Sequence, residues 1–122
     1  MTKRILVVED QVDNRQILRD LLASADYEIT EAENGEEALA AVAKQRPDLI
    51  LMDIQLPIMD GYEATRRIKA NPAWKDIPII VVTSYALSGD EAKARDAGCD
   101  AYVTKPYSPR ALLAKIREYI PK

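Results

Sequence analysis

The 122-residue chain has no histidine, a single cysteine and no long apolar run. Without an imidazole there is no histidine base, no histidine metal ligand and no internal phosphohistidine. Serine–histidine hydrolysis and most zinc sites are therefore excluded, and any metal must be a hard cation held by oxygen. Cys99 cannot close an internal disulfide, which fits a reducing compartment. The opening "MTKRILVVED" meets charge too soon for a signal peptide or a membrane span. Nor is there an excess of positive charge: the net value is −3, which argues against direct nucleic-acid binding. These absences point to a cytoplasmic protein without membrane or nucleic-acid contacts.

What is present is a repeat of two patterns. Apolar runs at Ile5–Val8, Glu28–Ala32, Leu49–Met52, Ile79–Thr83 and Ala101–Thr104 read as strands. Segments of helical spacing follow each one. Ile17, Leu18, Leu21, Leu22 and Ala25 form the first apolar stripe, and Ala38, Leu39, Val42 and Ala43 the second, after the capping candidate Asn34. A third helix spans about Tyr62 to Ala70 and stops near "NPAW". A fourth, about Ser88 to Ala97, ends at Gly98, and the last, Ser108 to Tyr119, offers Leu112, Leu113, Ile116 and Ile120 to a core. Five strand–helix repeats predict a doubly wound α/β fold filling residues 1–122 as one domain. The first, third and fourth strands are apolar enough to be covered on both faces, whereas "EITEA" suits an edge. The fourth helix has little but alanine for a core. It either packs close to the sheet or is held weakly enough to shift.

Chemistry gathers where the strands stop. "RILVVED" ends on Glu9 and Asp10, "LILMDIQLP" delivers Asp53, "IIVVTSYA" presents Thr83, and "YVTKPY" presents Lys105. Each alone has a plain explanation as a polar turn, a local cap or a solvated loop. Their joint order at the tips of strands one, three, four and five does not. In open parallel sheets ligands sit beyond the carboxyl ends of the strands. Three converging carboxylates repel one another unless protonated or joined by a cation, and with oxygen ligands only the natural cation is Mg²⁺. A carboxylate nucleophile, a divalent ion, a hydroxyl and an ammonium are the parts needed to transfer a phosphoryl group to Asp53.

With those residues in place the chain resembles the receiver domain of two-component response regulators, from "ILVVED" through "DLILMDIQLPIMDGYEATRRIK" to "AGCDAYVTKPYSPRALLAKI". Within that family it is most similar to single-domain regulators of the DivK type. The resemblance implies a flavodoxin-like (βα)5 sheet of strand order 2-1-3-4-5. It implies an aspartyl phosphate on Asp53, taken from a phosphohistidine of a sensor histidine kinase or a histidine phosphotransfer protein. Glu9, Asp10, Asp53 and the backbone carbonyl of Gln55 match the family's Mg²⁺ ligands. Thr83 matches the switch hydroxyl, Tyr102 the aromatic that reports activation, and Lys105 the lysine before a cis Pro106. Pro57 and Gly61 match the loop after the acceptor. The expected product is a signalling switch rather than an enzyme, one that takes part in its own phosphorylation and slow dephosphorylation. Its output surface combines the fourth helix, fifth strand and last helix; donor contact would use Asn14 and Gln16 with the Tyr107–Pro109 loop.

Glu-Asp in place of Asp-Asp, Ser84 where alanine is common, and Gln55 at a variable position are the departures from the pattern. They bear on metal geometry and phosphate lifetime. A magnesium phosphohydrolase would need a general acid two residues after the nucleophile, where Gln55 stands. An interaction module that is never phosphorylated would typically lack an acid or the lysine. A flavin protein of similar fold would need a glycine-rich loop where "EDQVDNRQ" stands.

Overall fold

The computed structural model describes residues 2–83 and 90–121. Ser84, and the beginning of the fourth helix expected at Ser88, lie outside the described residues. Five strands alternate with five helices: β1 Arg4–Val8, α1 Val12–Ser24, β2 Glu28–Ala32, α2 Gly35–Lys44, β3 Leu49–Met52, α3 Gly61–Ala70, β4 Ile79–Thr83, α4 Asp90–Ala97, β5 Ala101–Thr104 and α5 Pro109–Tyr119. All neighbouring strands are parallel, in the order β2-β1-β3-β4-β5. The expected doubly wound sheet is what forms.

Alternation along each strand sends neighbouring side chains to opposite faces. Leu6, Val8, Ile50, Met52, Ile79 and Val81 face α2, α3 and α4, where they meet Ala38, Val42, Ala64, Ile68 and Ala94. Ile5, Val7, Leu49, Leu51, Ile80 and Val82 face the other way, onto Leu18, Leu22, Leu112 and Ile116 of α1 and α5. Both faces of β1, β3 and β4 are buried, as their apolar runs require. Each large side chain so buried contributes about 1.5–3 kcal/mol. β2 is half exposed along its length, as an edge strand should be.

Caps set the helix entries. Asn34, Asp60 and Ser108 each accept the N–H three residues on, at 2.9, 2.9 and 3.3 Å. Gly98 ends α4 at φ +107°, a conformation glycine takes without steric cost, and Cys99 N–H reaches back to the Ala94 carbonyl at 3.1 Å. α4 buries only Ala94 and Ala97 among its described side chains. The alanine side of this helix does pack inward.

Two expected core positions turn outward. Ile17 is 59% exposed and Ala43 is exposed. Leu18 and Leu22, four residues apart, define the buried line of α1, and Ile17 lies to one side of it. Apolar spacing alone includes Ile17 in the stripe; the core formed by Leu18 and Leu22 with the strands leaves it out. Leu39, Leu21 and Leu113 are only partly buried at the edges of the two cores.

Candidate functional site

β1 and β3 are neighbours, yet the chain leaves β1 toward β2 on one side and β4 follows β3 on the other. The crevice opens where the winding reverses. Val8 and Met52 are register partners, so the residues that follow them come out side by side. Asp53 N–H donates to the Val8 carbonyl at 3.0 Å, tying the two strand tips together. Carboxylate oxygens of Glu9, Asp10 and Asp53 then lie within 4.8 Å of one another. The sequence-predicted acidic trio converges.

Lys105 enters from the far side, after β5. Its Nζ donates to Glu9 Oε1 at 2.8 Å and stands 3.9 Å from Asp53 Oδ2. Its own N–H is held by the Thr83 carbonyl at 2.7 Å, which joins the ends of β4 and β5. The Lys105–Pro106 peptide is cis. Thr83 is buried at the end of β4 and Tyr102, opposite Val81 on β5, packs half-buried against the α2–α4 core. Gln55 follows Asp53 by two residues with its side chain in solvent.

The charges in this crevice do not balance. Burial and the Glu9 charge, opposed by Lys105, raise the Asp53 carboxyl to about 6. Burial also pushes Glu9 upward, but the Lys105 ammonium and the Gln11 N–H, at 3.1 Å, outweigh it and hold Glu9 below its ordinary range. Burial and Glu9 push Asp10 up. Lys105 is pulled down by burial and pulled further up by Glu9 and Asp53. One ammonium thus serves three acids, and Asp53 carries the shortfall. An all-oxygen donor set, partly buried and short of positive charge, fits a hard divalent cation such as Mg²⁺.

Arg15 supports this site with no sequence signal of its own, and two glycines make room beside it. Arg15 of α1 donates to the Glu9 carbonyl at 2.8 Å and pairs with Glu31 at 3.2 Å, bracing the acidic loop from behind. A Cβ on Gly61 would collide with the Asp53 carbonyl, and one on Gly35 would meet the Met59 carbonyl at 2.5 Å. Gly35 follows the cap Asn34, a position at which close approach could have been suspected. Arg15 looks like any other helical arginine.

Beside the acids runs an apolar groove of about 290 Å³, lined by Asn14, Ile17, Leu18, Lys105, Pro106, Tyr107 and Pro109. Of the two α1 residues expected to face a donor, Asn14 lines this groove. Gln16 does not; its side chain is engaged with Asp20 and Arg19 along the helix. Ile17 lines the groove instead.

An open α/β crevice holding three acids and a lysine, beside a strand that ends on a threonine, defines a receiver, and the chain belongs to the response regulator receiver domain family, whose sequence profile matches residues 5–117. Members of this family are phosphorylation-dependent switches of two-component systems that interact with histidine kinases or phosphotransfer proteins and with downstream targets. The chain is 42% identical to the polar-differentiation response regulator DivK of Brucella anthropi over 120 residues, 98% of each chain. A response regulator from Chloroflexus aurantiacus superposes over the whole of both chains with a TM-score of 0.94 at 30% identity. The receiver domain of a sensor histidine kinase from Pseudomonas aeruginosa, also matched over both full chains, reaches 0.92 at 36% identity and carries a magnesium ion in its active-site cleft. No described helix is long and apolar enough to cross a membrane.

Proposed function

We propose that residues 1–122 form one receiver domain, working in the cytoplasm, in which Asp53 accepts a phosphoryl group from the phosphohistidine of a sensor histidine kinase or phosphotransfer protein. A carboxylate oxygen of Asp53 bonds to phosphorus as the donor's phosphorus–nitrogen bond breaks and the imidazole leaves with the electron pair. The observation that carries this reading is the meeting of three carboxylates within 4.8 Å with an ammonium 3.9 Å from Asp53.

Glu9, Asp10, Asp53 and the Gln55 carbonyl would hold Mg²⁺. When bound, the ion supplies the positive charge that the acids lack and that a transferring phosphoryl group needs. Lys105 adds its ammonium to the same oxygens, positioned by Glu9 at 2.8 Å. Thr83 donates its hydroxyl to the phosphoryl group once that is in place. The space it leaves takes the Tyr102 ring, and α4, β5 and α5 then present a different surface to a protein target. Among its described residues α4 buries no side chain larger than alanine, so few large anchors oppose its shift. The donor docks over the apolar groove between α1 and the Tyr107–Pro109 loop.

Incubation with Mg²⁺ and acetyl phosphate should add the mass of one phosphoryl group to the wild type and none to Asp53→Asn. Labelling of Asp53→Asn, or none of the wild type, removes the assignment. Thr83→Ala should still be labelled yet bind its target without regard to phosphorylation.

A further inference from the structure

Among the described residues three large apolar side chains stand exposed: Val12, Ile17 and Ile58 at 64%, 59% and 74%. Val12 opens α1 just past the acidic pair, Ile17 lines the groove against Pro106, and Ile58 sits in the loop that follows Asp53. Val12 follows Asp10 by two residues and Ile58 follows Asp53 by five.

Ile58 carries a second anomaly. Its φ is +69°, and across it the Met59 N–H donates to the Pro57 carbonyl at 2.7 Å. A bond spanning two residues around a centre of positive φ is a γ-turn of the rare, strained kind. A β-branched residue is an outlier there, because its Cβ crowds the backbone; glycine has no such conflict. Strain persists only where the surroundings over-determine it, and here they do. The Met59 carbonyl is taken by Gly35 N–H at 3.0 Å, Gly61 N–H holds the Ile54 carbonyl at 2.9 Å, and Asp60 caps α3. The side chain belongs to neither core. It strains its backbone and leaves 74% of its surface exposed.

We propose that Ile58 is a recognition contact for the phosphohistidine-bearing protein donor: the turn lifts its side chain off the rim of the crevice and onto an apolar patch of that donor. This rests on Asp53 being the phosphoacceptor. A protein donor seated on the groove along α1, with its phosphohistidine reaching Asp53, extends over the loop that follows Asp53 and so covers Val12, Ile17 and Ile58 together. A target seated on α4, β5 and α5 leaves Val12 and Ile58 bare. A small phosphodonor reaches Asp53 without touching the rim.

The test compares wild type, Ile58→Gly and Ile58→Lys. Each is offered acetyl phosphate with Mg²⁺, and separately the phosphorylated kinase or phosphotransfer protein of the source organism that labels the wild type fastest. Both variants should be labelled by acetyl phosphate within twofold of wild type and by the protein donor at least tenfold more slowly at subsaturating concentration. Ile58→Gly should also show an unfolding midpoint no lower than wild type. Wild-type transfer from the protein donor to both variants overturns the proposal. So does an equal loss with both donors, which makes Ile58 part of the site itself, or a lowered midpoint in Ile58→Gly, which makes the side chain structural. If acetyl phosphate labels the wild type but no phosphohistidine protein does, the contact has no occupant and falls. If acetyl phosphate fails as well, the reading of Asp53 falls first.

Discussion

The two ends of the sheet each bury a lysine beside aspartate, with opposite outcomes. At the amino end Lys69 of α3 donates to Asp100 at 2.9 Å and to the carbonyls of Lys75 and Ile77 at 3.1 and 2.8 Å. Asp100 Oδ2 also accepts the Ile79 N–H at 2.8 Å, and its carbonyl accepts the Tyr119 hydroxyl at 2.9 Å. All three ammonium protons have partners, and α3, β4, β5 and α5 are tied together. At the carboxyl end Lys105 faces three acids, and one of them is left near pH 6. A saturated pair stabilises a fold; an unsaturated cluster stores a preference for something that has yet to bind.

That contrast breaks most clearly at Asp53. Asp53→Asn should lose labelling by a phosphodonor entirely, at least a thousandfold, while folding normally by circular dichroism. Residual labelling near the wild-type rate would sink the division between the two ends. The amino end should answer in stability alone: Asp100→Ala removes a charged hydrogen bond and a strand N–H acceptor, at a cost of about 2–3 kcal/mol in urea unfolding. Its labelling by acetyl phosphate should stay within threefold.

A smaller effect should appear with pH. Because the folded-state value of Asp53 is raised, its protonated form favours the fold; that contribution is complete below the ordinary value of 3.8 and is lost as pH rises through about 6. Glu9 is shifted the other way, so its contribution is present above its unfolded value and fails only in stronger acid. Between about pH 5 and pH 8, in EDTA, the wild type should lose about 1–2 kcal/mol that Asp53→Asn does not. Mg²⁺ should reverse the trend, since the ion binds the ionised acids. Equal pH slopes in the two proteins would rule out Asp53 as the group responsible. The smallest effect belongs to a cap: Asp60→Ala, which removes the acceptor of the Glu63 N–H, should cost about 1 kcal/mol in urea unfolding.

All five strands, the edge position of β2 and the meeting of the three acids with the lysine are legible in the residues, because a strand tip is a local event. An apolar run that ends abruptly announces both its burial and the side chain it delivers. The facing of Ile17 is not legible, since leucine and isoleucine at helical spacing look alike until a neighbour chooses which line to cover. Arg15, Gly35 and the Lys69–Asp100 pair escape for the same reason. Their partners lie 16, 24 and 31 residues away, beyond any local pattern.

Periodicity and punctuation alone determined which segments became strands and helices and which side chains were delivered to the strand tips, because short-range sterics and hydrophobic alternation act within a few residues. Only the assembled sheet decided that those tips share one crevice, how far Asp53 is held from its counter-ion, and that Ile58 is bent outward. Distances, charge balance and backbone strain are properties of groups remote in the chain and close in space.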